Sequence, residues 1–371
     1  MAEPRTAIAR IPHIELLRVL ATIGIFLYHL WTVIPLSADT TLSGPLLARV
    51  PLLGTVGVII FNGITGFVLA VPYLGQETLR PLPGVWDFFR SRFGRICQHY
   101  YPVLLLWTIP CLFFEAYDQH WREVLVAFVS HLVFVHTLSA QTFFAIVPAL
   151  WWLGMLAQLY LVYPWLLRVW QRLGAGRACG IICLLAWSAW IGLTLLANHW
   201  PGSPWAMLNY MAYFNLPVRL PEFALGMWLA SAWNRAAPWV RGPDSAASPL
   251  WTVLPLLVLL GCGVLLQDAW VHWLFGPLAH LYLVAWCVLA TLAILHWPPA
   301  AWLGSRRLTL DLAAASYGIY LLHQPLLGYA NVLLADILRP GWRFVVLGVG
   351  IWLLCYRAAV LLNLLVFRLL R

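Results

Sequence analysis

The feature of this sequence that most limits its fold is a series of apolar stretches, each about 20 residues long. A helix of that length crosses a hydrocarbon layer of about 30 Å. Barrel strands would be shorter and would alternate in polarity, which these stretches do not. Only 9% of the 371 residues are charged, against roughly 25% in soluble domains. The sequence therefore predicts an all-α fold, a polytopic membrane helical bundle that forms a single domain over residues 1–371.

Ten of these stretches are long enough to span a membrane, and an eleventh is shorter. The first, which contains Glu15 and Arg18, is too long and too charged to be a cleaved signal peptide. The eleventh, 123–138, contains His131 and His136, and its length is typical of an interfacial, re-entrant or buried segment. The ten predicted spans are 14–36, 52–74, 98–116, 147–167, 179–198, 217–235, 250–267, 276–296, 312–334 and 343–367.

The basic residues indicate the topology. All 22 are arginine, and many of them stand in groups between apolar stretches. If 123–138 does not span, these groups fall on one side of the membrane, which the positive-inside rule identifies as the cytoplasm. We therefore predict about ten transmembrane helices in the inner (plasma) membrane, with both termini and a linker at 236–249 in the cytoplasm. The opposite loops include 37–51, 199–216 and 268–275.

Two common functions are disfavoured by composition. The net charge of +9 is spread between apolar stretches rather than gathered in one patch, so it does not indicate nucleic acid as a partner. The seven cysteines lie mostly within apolar stretches without the spacing of a metal site. We expect them to be small apolar packing residues, and we expect no metal.

The first helix carries the clearest functional candidates, because ionisable groups inside a membrane are costly. Arg18 and His29 are eleven residues apart, which is close to three helical turns. Both side chains therefore face one way, about 16 Å apart, and Glu15 can neutralise Arg18 from one turn away. The spacing suits an enzyme whose two substrates arrive from opposite faces, with His29 as a general base. A purely structural histidine fits this helix equally well.

Other polar groups are weaker candidates when each is taken alone. Arg92 and Arg95 are neighbours on one helix face and can both meet a phosphate-rich ligand. Ordinary cytoplasmic anchoring also explains them. The remaining candidates are polar residues within or beside the second, sixth and ninth apolar stretches. They are Asn62, Thr65, Arg219, Glu222, Asp311, Tyr320 and His323.

Six short patterns, in order along nearly the whole chain, resemble the acyltransferase-3 family of membrane acyltransferases. Thr65 stands where that family usually has serine. The patterns are Glu15 and Arg18 continuing to His29; Gly57-Val58 through Thr65-Gly66-Phe67; Arg92 with Arg95; Leu150-Trp151 through Gln158, Tyr160 and Pro164; Arg219-Leu220-Pro221-Glu222-Phe223 with Gly226; and Ser316-Tyr317 through Tyr320 to His323.

The resemblance implies transfer of an acyl group, commonly acetyl, from cytoplasmic acyl-CoA to a hydroxyl of an envelope or exported carbohydrate. It implies Arg18 and His29 as catalytic residues, the latter as base, and Arg92 with Arg95 as the site for the CoA phosphates. Many members have a glutamate just before Gln158, where this chain has Leu156 and Ala157. Glu222 is our candidate to replace that acid.

Substrate-binding roles are expected for Asn62, Thr65, Tyr320 and His323. The expected partners are the lipid bilayer, acyl-CoA (acetyl-CoA above all) and a carbohydrate or lipid-linked glycan. Within the enzyme class, a succinyl donor and an amine or non-carbohydrate acceptor stay open. A glycan-lipid transporter or flippase is the main rival, although the paired broken helices of transporters are not evident in the sequence. A non-catalytic scaffold would not need the alignment of Arg18 with His29.

Overall fold

A computed structural model describes residues 10–34, 50–74, 82, 84–113, 121–234 and 276–369. Every regular element in these ranges is helical, as the apolar stretches predict. The predicted span 250–267, the linker 236–249 and the loop 268–275 lie outside the described residues, as does most of the loop 37–51. Twelve α-helices are described: α1 Pro12–Val33, α2 Val50–Ala70, α3 Val85–Phe113, α4 Trp121–Leu132, α5 Trp151–Leu173, α6 Ala175–His199, α7 Pro204–Phe214, α8 Leu216–Asn234, α9 Pro277–Leu295, α10 Pro298–Gly304, α11 Arg307–Leu334 and α12 Pro340–Leu369.

Within the described residues, seven helices are long and apolar enough to cross a membrane: α1, α2, α3, α5, α6, α9 and α12. The predicted stretches 217–235 and 312–334 are helical too, as α8 and α11. These two helices are not among the seven: polar side chains such as Arg219 and Glu222 lower the mean hydropathy of α8, and side chains such as His323 and Gln324 lower that of α11. The count of ten spans and the cytoplasmic termini stay predictions.

The segment 123–138 is not one continuous helix. Helix α4 has 12 residues, too few to cross about 30 Å of hydrocarbon. A 3₁₀ turn follows at His136–Leu138, and a second one, Pro148–Leu150, leads into α5. Just before that second turn, the buried Ile146 has a φ of 64°, which costs a β-branched residue about 1–3 kcal/mol. Burial of its side chain offsets this strain and fixes the turn before α5.

Helix α1 lies at the centre of the bundle, against α2, α11, α12 and the short α10. Helix α2 packs on the other side against α8 and α9. Glycines allow the closest approaches, as is common between membrane helices. A Cβ on Gly66 would overlap the Phe223 carbonyl of α8, and one on Gly226 would overlap the Gly63 carbonyl of α2. Close packing of α2 against α8 therefore depends on the absence of side chains at these positions.

The substitution Gly226→Ala tests this packing. The added methyl has no room beside Gly63, so we expect a loss of about 1–3 kcal/mol in the free energy of unfolding. Thermal unfolding of the detergent-purified protein measures it. Gly192→Ala in α6 is the matched control, since open space surrounds that position and alanine is the better helix former. Equal melting temperatures for the two variants would contradict the close α2–α8 contact.

Candidate active site

The two candidate residues of α1 lie on one unbroken helix. Arg18 pairs with Glu15 at 3.0 Å, which confirms the neutralisation predicted from their spacing. His29 is buried, with 8% of its surface exposed, and its Nδ1 lies 3.5 Å from the Ile25 carbonyl oxygen. With a proton on Nδ1 facing that carbonyl, Nε2 carries the free lone pair. The eleven-residue separation along the helix corresponds to about 16 Å.

Arg18 opens into a cavity of about 330 Å³ that we call the arginine cavity. Arg92 and Arg95 of α3 line it with Arg18, so the structure brings the three candidate arginines together. Thr65 of α2 is also in the wall, and its hydroxyl donates to the Phe61 carbonyl at 2.7 Å. No carboxylate is among the described lining residues, and Glu15 pairs with Arg18 from outside the lining, so Arg92 and Arg95 contribute most of the positive charge of this cavity.

His29 opens instead into a second cavity of about 280 Å³, which we call the aromatic cavity. Arg219 and Gln324 contribute polar groups, and again no described lining residue is acidic. The Phe214 ring is at the centre of the aromatic wall, with its ring centre 4.9 to 5.5 Å from those of five other rings. The aromatic residues that line the cavity are Tyr28, Phe144, Trp151, Tyr210, Tyr213, Phe214 and Tyr320.

The two cavities meet at Ile25 and Tyr320, the only described residues that line both. The Tyr320 hydroxyl donates to the Ala149 carbonyl, and the Ala149 N–H donates to Oε1 of Gln324 at 2.6 Å. The 3₁₀ turn before α5 is thereby fastened to α11 at the junction. The side chain of Tyr320 therefore forms part of the wall of both cavities.

Glu222 lies behind the aromatic cavity rather than in its wall. The carboxylate accepts hydrogen bonds from Arg219 at 2.9 Å and from Nδ2 of Asn62 at 2.6 Å, and His280 Nε2 is 2.8 Å away. Trp152 completes the cluster by donating to Oδ1 of Asn62 at 2.9 Å. These side chains are almost fully buried, so Glu222 reaches the cavity only through Arg219, whose guanidinium lies 4.3 Å from the Tyr213 ring centre.

Two other candidates are also set back from the cavities. Asn62 is fully buried in the Glu222 cluster and lines neither cavity. His323 lines neither cavity, but its ring packs edge-on against His29 with ring centres 4.8 Å apart. The His323 Nδ1 lies 2.7 Å from the Tyr320 carbonyl oxygen. Asp311 is half exposed, and its carboxylate lies 3.8 Å from Arg307 on the same helix.

Three parts of the site were missed from the sequence. The segment 199–216 was expected to be a loop, but α7 lies within it and supplies Tyr210, Tyr213 and Phe214 to the aromatic cavity. The three- and four-residue spacing of those rings is the signal that could have indicated a helix. His280 was not singled out, because a lone histidine in an apolar stretch gives no indication that it contacts Glu222.

The third is the role of Gln158, which was named from the sequence only as part of a family pattern. Its amide donates to Oγ1 of Thr137 at 3.1 Å and to Oδ1 of Asn215 at 2.6 Å, while its Oε1 accepts from the Leu216 N–H. Asn215 in turn donates to the Thr137 carbonyl at 3.0 Å. Gln158 therefore joins α5 to the break between α7 and α8. The hydrogen bonds of Gln158 therefore help to fix the position of α7, which carries three rings of the aromatic wall.

A stacked histidine pair supports the same wall from outside the spanning helices. His131 and His136 are parallel, with ring centres 3.8 Å apart, and His136 Nε2 is 3.1 Å from the Leu150 carbonyl oxygen. Burial lowers the pKa of His131 to about 4 and that of His136 to about 3, the latter with help from its neighbour. Both rings are therefore neutral at physiological pH. In this form they pack without charge repulsion.

The described residues contain no group of three or more histidine, cysteine, aspartate or glutamate side chains that could hold a metal ion. The site is built from guanidinium, imidazole, hydroxyl and aromatic groups.

Comparison with known proteins places this chain in a family. Residues 11–362 match a family model described as an acyltransferase domain. Similar curated proteins include the peptidoglycan O-acetyltransferase OatA of Listeria monocytogenes, 24% identical over 361 residues, covering 90% of this chain and 52% of the relative. The O-acetyltransferase OatA of Staphylococcus aureus is 24% identical over 345 residues, covering 86% and 51%.

The chain spans about half the length of these curated relatives. No solved structure matches it. Because the family model covers nearly the whole chain, and the six patterns fall within it, this polytopic membrane protein belongs to the acyltransferase-3 family.

Proposed function

We propose that the protein is an O-acyltransferase that moves an acyl group, acetyl in the first place, from cytoplasmic acyl-CoA to a hydroxyl of an envelope carbohydrate. The observation that carries this proposal is the pair of cavities, one lined by three arginines and the other by aromatic rings and His29, which meet at Ile25 and Tyr320. The names of the OatA relatives support O-acetyl transfer to peptidoglycan or a similar glycan.

The arginine cavity supports a phosphate-rich donor. Guanidinium groups bind phosphates through paired charge-assisted hydrogen bonds, and CoA carries several phosphates. Arg92 and Arg95 hold the phosphates in this proposal, and Arg18 stands deeper, along the arm that ends in the thioester. Thr65 and Tyr320 contact the arm from the cavity wall.

The aromatic cavity supports a carbohydrate acceptor, because aromatic faces stack on the C–H groups of sugars. His29 Nε2 takes the proton of the acceptor hydroxyl as its oxygen attacks the thioester carbonyl. A C–O bond forms and the C–S bond breaks, and the departing thiolate recovers the proton from His29. His323 packs against the His29 ring and keeps it in one orientation.

Glu222 acts in this proposal as a positioning residue. With Asn62 and His280 it holds Arg219 in the aromatic wall, where the guanidinium meets the acceptor. Leu156 lines the arginine cavity and Ala157 is buried beside it, so no acid stands in the place where many family members carry glutamate. Glu222 supplies a carboxylate from a different helix.

The substitution His29→Gln tests the base. Loss of the proton acceptor should lower acyl transfer by about 100-fold or more. The measurement uses inverted membrane vesicles from cells that carry each variant and otherwise lack the protein, supplied with radiolabelled acetyl-CoA, and follows label in the glycan fraction. His199→Gln is the matched control, an exposed histidine at the end of α6. If His29→Gln transfers acyl groups as fast as the control variant, His29 is not the general base.

Mass spectrometry of envelope glycans from the same cells separates the reaction classes. An ester mass present only with the wild type supports O-acyl transfer and identifies the acceptor and the acyl group. An amide mass would point to an amine acceptor, and a succinyl mass to a different donor. Unchanged glycans whose surface amount falls without the protein would favour the transporter.

The substitutions Arg92→Gln and Arg95→Gln test the donor site. Each removes a charge-assisted contact of about 1.5–3 kcal/mol, so we expect acyl-CoA to bind roughly 10- to 100-fold more weakly. Binding of acetyl-CoA to the detergent-purified protein measures this. Arg90→Gln is the control, because Arg90 is exposed on the same helix and does not line the cavity. If Arg90→Gln weakens binding as much as the other two substitutions do, Arg92 and Arg95 attract anions only through their charge and do not form a specific CoA site.

The substitution Glu222→Gln tests the positioning role. It leaves the buried Arg219 without its counter-ion, which costs about 3–5 kcal/mol in the free energy of unfolding. Thermal unfolding measures the loss, and acetyl-CoA binding by the folded fraction should be unchanged, because Glu222 does not line the arginine cavity. A variant that melts like the wild type but transfers nothing would place Glu222 in the chemistry instead.

A further inference from the structure

The walls of the two cavities share two side chains. Of the described lining residues, only Ile25 of α1 and Tyr320 of α11 belong to both walls. We call this pair the neck. Next to it lies a crevice lined by Thr22, Phe26 and Phe61 that has no room even for a water molecule. On the side of this crevice, the neck therefore offers no room for a larger group.

Both neck residues are fixed by their surroundings. Ile25 is 4% exposed, and its side chain fills the space beside Gly57, where a Cβ would overlap it. Tyr320 is fastened by its hydroxyl to the Ala149 carbonyl, and its ring packs against Trp152 with ring centres 5.4 Å apart. A packed junction of this kind rejects extra volume instead of widening, because protein interiors are dense and stiff.

The neck also coincides with the place where the acyl group must react, an argument that rests on the proposed function. Ile25 is one helical turn from His29 on the same face, about 6 Å along the axis. A thioester carried on an arm from the arginine cavity must bring its carbonyl carbon to the acceptor oxygen beside His29. That carbon, with the acyl chain attached to it, then lies at the level of Ile25 and Tyr320.

We propose that Ile25 and Tyr320 determine the length of the acyl group, so that the protein transfers acetyl and rejects butyryl, succinyl and longer chains. The chain beyond the carbonyl has to fit between the two side chains while the acceptor attacks. An acetyl methyl fits in this space, and each further methylene competes with Ile25 for the same volume. One methylene typically changes discrimination about 10- to 200-fold. The neck thus selects the donor by the volume of its acyl chain.

The test compares acetyl-CoA, propionyl-CoA and butyryl-CoA, each radiolabelled, in the same inverted vesicles. Wild type and Ile25→Ala are compared by the ratio of the butyryl to the acetyl rate, which cancels differences in the amount of folded protein. Opening the neck should raise this ratio at least about 10-fold. Ile25→Val, a milder change, should raise the propionyl to acetyl ratio to an intermediate value.

Ile96→Ala is the matched control. Ile96 is the same residue type, is 5% exposed, and lines the arginine cavity but not the aromatic cavity. Its variant should keep the wild-type ratio. The proposal is overturned if wild type transfers butyryl as fast as acetyl, if both Ile25 variants keep the wild-type ratios, or if Ile96→Ala shifts the ratio equally. Wild-type vesicles that transfer no acyl group from any donor would overturn the proposed function itself.

Discussion

The structure depends on one unbroken helix, α1, that carries a cation and an imidazole three turns apart. Because every backbone hydrogen bond inside a membrane must be made within the helix, α1 cannot loop or unwind to bring Arg18 towards His29. The two groups are therefore held about 16 Å apart on one face. The other helices pack around that face so that each group opens into its own cavity. The separation of the two cavities follows from the helical repeat.

A second constraint is the penalty for burying charge. Arg219 and Glu222 are both almost fully buried, and neither is tolerable there alone. Arg219 and Glu222 pair with each other, and the Glu222 carboxylate also contacts Asn62 and His280. These contacts make the burial possible. The same contacts draw α2, α8 and α9 together behind the aromatic wall. The cluster that makes this charge burial possible also shapes one wall of the aromatic cavity.

The aromatic wall is assembled from parts of the chain that have no regular spacing relative to one another. Gln158 on α5 bonds to Asn215 at the α7–α8 break and to Thr137 in the first 3₁₀ turn. Gln324 and Tyr320 on α11 hold the second turn through Ala149. These hydrogen bonds place an irregular segment against the helices, where side chains bond to several of its backbone groups. The neck between the cavities is a product of that docking.

By itself, the sequence determined the features that depend on local pattern. Long apolar stretches predicted helices, and the Arg18–His29 spacing predicted a common face. The three-residue spacing of Glu15 with Arg18, of Arg92 with Arg95 and of Arg219 with Glu222 predicted neighbours that the structure contains.

The tertiary structure decided which of these groups share a cavity and which only support one. Asn62 and Glu222 are 160 residues apart, and Ala149 and Gln324 are 175 apart. No periodicity links such positions, because their contacts arise only when separate helices pack. The helical nature of 204–214, the meeting of three arginines, and the neck at Ile25 and Tyr320 belong to the same class. Local hydrogen bonding fixes a helix from its own residues, whereas a cavity is the space that several helices leave between them.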